Sequence, residues 1–114
     1  MGCDIHAFFE VKIKGEWYCY DQPDIGRDYA LFELMAGVRG DPYKAITPPK
    51  GLPKDMSVVV KMEAMRWVED SHSASWLSRA ELKELQKRLQ ETVPEWLYFL
   101  YDHKDIRLVF WFDS

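Results

Sequence analysis

The sequence is poor in several features that would identify common protein classes. It has only two cysteines, Cys3 and Cys19, and they fit neither a zinc-site spacing nor a disulfide framework, so we expect both to be reduced core thiols. No basic leader followed by an apolar segment is visible, and no apolar run is long enough to cross a bilayer. These absences predict a cytoplasmic protein that does not associate with membranes.

A surplus of positive charge is also missing. The formal net charge is −4 and the sequence pI is about 5.3, whereas a protein that binds duplex nucleic acid normally carries a basic patch. A small anionic ligand stays compatible with this charge, because two or three local arginines suffice to bind it. The 114 residues are 47% hydrophobic, which predicts one domain over residues 1–114 with a substantial core.

The first strand of the chain carries polar side chains on one face. Alternate residues of a strand point to the same side, so Asp4, His6, Phe8 and Glu10 would project together from residues 3–13. The other face is apolar throughout and can contact the core. The polar face therefore calls for a functional or structural explanation.

The remaining pattern predicts an α+β fold. Gly15 marks the turn of a β-hairpin formed by residues 3–13 and 16–21, and residues 105–113 read as a last strand that pairs with the first in the middle of the sheet. We therefore expect a small antiparallel sheet, built from the N-terminal hairpin and the C-terminal strand, with three to four helices packed on one side. The expected helices are 28–37, 57–69, one capped by Ser78 and Glu81, and 95–101.

Two intervening segments have less regular patterns. Residues 38–55 hold four of the six prolines and predict a long loop, either functional or a plain linker. Residues 71–78 read as a polar loop that contains one histidine and several serines. On the helix between these segments, Val58, Met62 and Met65 recur at helical spacing, which predicts a stripe buried in the core.

The histidines and the early carboxylate define a candidate catalytic site. His6 and His72 would act as general base and general acid on a phosphodiester, and Asp4 would orient His6. The same three residues could instead hold a divalent metal ion, although their spacing matches no specific motif. A third interpretation is a structural hydrogen bond between Asp4 and His6 that anchors the N-terminus.

Other residues would complete a nucleotide-binding pocket. Arginines would bind phosphate in bidentate fashion, serine hydroxyls would donate to phosphate oxygens, and aromatic rings would stack on a base. The candidates are Arg27, Arg39 and Arg107 for phosphate, Ser73 and Ser75 as donors, and Tyr29, Trp76 and Trp111 for stacking. The same groups suit binding without any chemical step.

Landmarks at both ends and through the middle of the chain resemble a family of small phage and prophage proteins. They are MGCDIH (1–6), RDYALF (27–32) with GVR (37–39), GLP (51–53), HSASWL (72–77) and VFWFD (109–113). The resemblance implies a small phage protein that acts in the bacterial cytoplasm. In general character it is similar to phage anti-defence proteins, which cleave or sequester the nucleotide signals of bacterial immunity.

Three functions follow as hypotheses. The first is an anti-defence protein that binds a cyclic or ADP-ribose-type nucleotide and cleaves it with His6, His72 and Asp4, without a required cofactor. The second is sequestration of the nucleotide by a homo-oligomer, without chemistry. The third is an inhibitor that binds a host protein through the proline-rich loop and exposed tryptophans.

Overall fold

The sheet of this protein has four antiparallel strands with the two most apolar strands in its centre. In the computed structural model, which describes residues 2–114, the strands are β1 (Asp4–Ile13), β2 (Glu16–Asp21), β3 (Ser71–Ser78) and β4 (Ile106–Asp113), in the order β2-β1-β4-β3. The expected α+β class and the central pairing of the first and last strands are confirmed.

The helices begin and end largely where their capping residues predict. They are α1 (Tyr29–Ala36), α2 (Val58–Arg66) and α3 (Arg79–Leu89), and 3-10 helices span Pro42–Lys44, Gln90–Thr92 and Glu95–Tyr101. Asp28 and Ser57 cap α1 and α2, Gly37 ends α1 in the left-handed conformation, and Ser78 forms a capping box with Glu81. No helix of the described residues is long and apolar enough to cross a membrane.

The sheet has a core on each of its faces. One face of β4 packs against α1, α3 and the 3-10 helix Glu95–Tyr101, in the larger apolar cluster. On the other face, Phe8, Val109 and Trp111 pack against Val60 and Ala64 of α2. The expectation that all helices lie on one side is therefore corrected for α2, because Phe8 and Trp111 are large apolar side chains that need cover on the second face.

The face of helix α2 that contacts the sheet is the opposite of the one that its methionine spacing predicts. Val60 and Ala64 are its buried residues, whereas the side chains of Val58, Met62 and Met65 are 74%, 63% and 67% exposed. Both stripes have helical spacing, so periodicity alone could not decide which one faces the sheet. Ala64 lies in the same apolar cluster as Trp111 on the inward side.

Residues 71–78 form an edge strand rather than the predicted polar loop. His72 pairs with Phe112 and Ser75 pairs with Phe110, so β3 has one more residue than β4 between these two pairs. Together with the positive φ of Ser73, 55°, this defines a β-bulge in β3. The loop 38–55 lies along this edge: the Lys50 amide donates to Ser75 Oγ, and the Gly51 amide donates to the Ala74 carbonyl. The loop is therefore fixed to the sheet.

A buried ion pair joins the central strands to α2. Glu10 and Arg107 are directly opposite each other on β1 and β4, and Arg107 Nε donates to Glu10 Oε1 at 2.8 Å. The second oxygen of Glu10 accepts from the amide of Ser57, the N-cap of α2, at 2.6 Å, and Arg107 Nη1 donates to Asp55. Glu10 is completely buried and Arg107 is 4% exposed.

We expect the Glu10→Leu variant to lose about 3–5 kcal/mol of unfolding free energy, because Arg107 then remains buried without its main partner. Urea denaturation followed by circular dichroism measures the loss. Asp55→Asn is the control, since its side chain is 66% exposed and should contribute no more than about 1 kcal/mol. Equal midpoints for wild type and Glu10→Leu would contradict this account of the pair.

Candidate functional site

The two predicted catalytic histidines lie on opposite faces of the sheet. His6 is opposite Trp111 and His72 is opposite Phe112, and these consecutive β4 residues point to different sides. The ring of His6 lies 4.2 Å from that of Trp67, beyond the end of α2, whereas the His72 ring stacks on Phe112 in the other core. The expected acid–base pair is therefore not assembled, because one phosphodiester cannot contact both rings.

Asp4 does not orient His6. Both oxygens of Asp4 accept hydrogen bonds from Arg27, at 2.7 and 3.3 Å, and the hydrogen bond from Arg27 lowers the pKa of Asp4 below its ordinary value of 3.8. The partner of the His6 ring is Asp113, whose Oδ2 lies 2.5 Å from Nε2. The orienting carboxylate thus comes from the last strand, opposite Asp4 in the register.

The metal alternative is not assembled either. His72 is exposed and its ring nitrogens lie 3.0 Å from the hydroxyls of Ser73 and Ser114. Within residues 2–114, no group of three or more histidine, cysteine, aspartate or glutamate side chains is placed to hold a metal ion. Asp4, His6 and His72 therefore do not form the predicted triad.

Several predicted ligand contacts have structural partners instead. Trp111 is 1% exposed and packs between His6 and Phe8, so it offers no face to a ligand. Ser75 is buried and its hydroxyl accepts from the Lys50 amide. Tyr29 accepts a hydrogen bond from the amide of Cys3, and Arg39 stacks on the Tyr29 ring at 5.2 Å.

Arg107 and Trp76 are the predicted ligand residues that one pocket does bring together. The pocket has a volume of about 410 Å³ and lies between the β-hairpin, the end of the loop 38–55 and the start of β4. The Arg107 guanidinium stacks on Trp17 at 3.9 Å and lies 5.8 Å from the Trp76 ring. Its Nη2 has no hydrogen-bond partner within the described chain.

The charges around this pocket are mainly positive. Lys12, Lys54 and Arg107 line it together with one carboxylate, Asp55. Arg107 is already paired with Glu10 and Asp55, so the surplus positive charge comes from the two lysines. A second depression of about 440 Å³ lies beside His6, but its described lining includes Asp4 and Asp24 and neither lysine nor arginine. In a chain of net charge −4, the Arg107 pocket is therefore the better candidate for an anionic ligand.

Sequence reasoning missed Lys12, Trp17 and Lys54 as pocket residues. A signal for the first two was present, because the hairpin turn at Gly15 places Lys12 directly opposite Trp17. Lys54 carried no comparable signal, since its position depends on how the loop 38–55 returns to the sheet. The Nζ atom of Lys50 lies 3.6 Å from the centre of the Trp76 ring and also pairs with Glu81. Lys50 therefore helps to hold the Trp76 ring in place.

Comparisons with protein-family models, curated proteins and solved structures return no match for this chain.

We expect Arg27→Gln to raise the pKa of Asp4 towards its ordinary value, because the variant removes the cation that stabilises the carboxylate. The wild-type pair stabilises the fold above pH 3.8, and this stabilisation is lost as the pH falls through the lower pKa of the folded state. Titration of the Asp4 carboxyl carbon by NMR measures the shift. Arg66→Gln, at an exposed arginine on α2, should leave Asp4 unchanged.

Proposed function

We propose that this protein binds a nucleotide in the pocket bordered by Trp17, Trp76 and Arg107, and that it sequesters the ligand without cleaving it. The observation that carries the proposal is the guanidinium of Arg107. It is almost completely buried between two tryptophans, lines the pocket and keeps one nitrogen without an acceptor. A buried unpaired donor is costly, and a phosphate oxygen that displaces the side chains covering it would be a suitable acceptor.

The rest of the pocket supports a ligand that is both anionic and aromatic. Lys12 and Lys54 are exposed at its rim and can contact phosphate without first breaking a described ion pair. The indole rings of Trp17 and Trp76 also line the pocket, with Arg107 over one ring and Lys50 over the other. Their remaining apolar surface suits a nucleobase or ribose. A nucleotide combines these two chemistries in one small molecule.

The placement of the histidines favours sequestration over cleavage. Neither His6 nor His72 lines the Arg107 pocket, and His103 is not among its described lining residues. A phosphodiester held by Arg107 would therefore meet no imidazole that could act as general acid or base. Sequestration, the alternative to cleavage among the hypotheses from the sequence, thus gains support relative to cleavage.

The class of nucleotide comes from the resemblance to phage proteins. A small phage protein that holds a nucleotide without consuming it would act by removing an immune signal from the bacterial cytoplasm. We therefore place cyclic dinucleotides and cyclic ADP-ribose isomers first among the ligands to test.

The first test is incubation of the protein with a panel of these nucleotides, followed by chromatography before and after heat denaturation. Sequestration predicts that one ligand disappears from the protein-free fraction and returns intact after heating. New products would establish an enzyme and overturn the proposal. Retention of none of the panel would favour the protein-binding inhibitor.

Charge reversal at the pocket rim tests the location of the site. We expect Lys54→Glu and Lys12→Glu each to weaken binding of the retained nucleotide by about 10- to 100-fold, because a hydrogen bond to a charged group contributes about 1.5–3 kcal/mol. Isothermal titration calorimetry measures the change. Lys87→Glu is the matched control, since Lys87 is exposed on α3.

If all three variants bind equally well, the ligand does not occupy this pocket. If the control weakens binding as much as the rim variants, the effect belongs to the net charge of the protein rather than to a site.

A further inference from the structure

The 3-10 helix Glu95–Tyr101 and the loop after β2 border a pocket that the proposed nucleotide site does not include. Its volume is about 550 Å³, and its described lining consists only of aromatic and acidic side chains, namely Trp96, Tyr98, Phe99, Asp24, Glu95 and Asp102. An aromatic ring attracts a cation to its face, and a carboxylate pairs with one. Both kinds of side chain in this acidic aromatic pocket therefore favour a ligand of the same charge.

The sequence of the 3-10 helix turns its aromatic rings outwards. Leu97 and Leu100 are three residues apart, which is one turn of a 3-10 helix, and both are completely buried. Tyr98 and Phe99, which lie between them, are 51% and 37% exposed. The leucines thus anchor the helix in the core while large aromatic side chains remain on the surface, which is typical of an interaction site.

Contacts with the hairpin hold the walls of this pocket in place. The ring of Phe9, on β1, lies 6.1 Å from that of Trp96 and meets that of Phe99 edge to face at 5.9 Å. On β2, the hydroxyl of Tyr20 donates to Asp102 at 2.7 Å. Because these side chains are already positioned, a ligand would spend little free energy on ordering them.

The carboxylates of the pocket have no cation of their own. Asp24 and Glu95 form no hydrogen bond or ion pair with the described residues, and the Asp102 carboxylate accepts only from the neutral hydroxyl of Tyr20. Three negative charges around one pocket repel each other, and this repulsion is relieved when a cation binds between them.

The cations of this region do not fill the pocket. Arg79 and Lys83 lie over the ring of Tyr101, at 5.9 and 6.0 Å, and Tyr101 is not among the described lining residues. His103 and Lys104 follow the last carboxylate in the chain but do not line the pocket. Among the described residues, no lysine or arginine lies over any of its three rings.

We propose that the acidic aromatic pocket binds two neighbouring arginine side chains of a partner protein. A planar guanidinium can stack on a ring and donate two parallel hydrogen bonds to a carboxylate, whereas the ammonium of lysine is a more strongly hydrated point charge. Three carboxylates exceed the charge of one arginine, so a pair of arginines complements the pocket better. The exposed ring of Tyr101, 6.4 Å from that of Tyr98, extends the aromatic surface beyond the pocket and suits a polypeptide.

NMR titration of the ¹⁵N-labelled full chain with the peptide acetyl-Gly-Arg-Arg-Gly-amide tests the proposal. We expect saturable shifts of the amides of residues 95–102, with a dissociation constant below about 1 mM. A peptide with citrulline at both arginine positions keeps the shape without the charge, so it should bind at least about 10-fold more weakly. The corresponding dilysine peptide should bind at least about 3-fold more weakly.

Two variants test the location of the contact. Tyr98→Leu keeps an apolar side chain but removes the aromatic face, and Glu95→Gln removes a charge at nearly constant shape. Each should weaken binding of the diarginine peptide by about 3- to 10-fold. Tyr43→Leu and Glu69→Gln are the matched controls, since they make the same changes at exposed residues outside the pocket and should bind like the wild type.

The outcomes separate the parts of the proposal. A diarginine peptide that shows no saturation up to about 1 mM, or a citrulline peptide that binds equally well, would overturn it. Unchanged binding by both pocket variants would place the peptide elsewhere and would contradict it as well. A dilysine peptide that binds as tightly as the diarginine peptide would refute the choice of arginine.

Discussion

The structure depends on one buried charge pair, Glu10 with Arg107. Two ions in the middle of an apolar sheet are stable only when each finds several partners, because an unpaired buried charge costs several kcal/mol. Glu10 accepts from Arg107 and from the Ser57 amide, and Arg107 also donates to Asp55. The register of β1 on β4, the start of α2 and the end of the loop 38–55 are thereby fixed together. The same guanidinium stacks on Trp17, so the interaction that positions α2 also builds one wall of the candidate pocket.

The features that the sequence predicts correctly are local. Asp28, Ser57 and the Ser78–Glu81 pair act on amides within three residues of themselves, and Gly15 closes a turn between adjacent strands. The alternation of apolar residues in β4 likewise needs no knowledge of distant partners. These signals establish the α+β class and the limits of most elements, because each depends on side chains that are close in sequence.

The features that the sequence does not predict depend on distant contacts. His6 and Asp113 are separated by 107 positions, and Asp4 was the nearer but wrong candidate for the orienting acid. The polar composition of residues 71–78 indicates a loop, yet pairing with β4 makes them a strand, and the bulge at Ser73 then decides which of them are buried. For α2, two stripes of helical spacing compete, and only the large side chains of Phe8 and Trp111 on the sheet determine that Val60 faces inwards.

The inward orientation of Val60 leaves the methionines of α2 on the outside of the protein, beside the candidate pocket. Because α2 is anchored through Ser57, its methionines remain on the outside, next to a groove of about 390 Å³ that Trp17 and Asp55 line. Trp17 and Asp55 also line the Arg107 pocket, so the groove and the pocket share two walls. A nucleotide held in the Arg107 pocket would therefore also restrict the side chains of Trp17 and Asp55 in the groove.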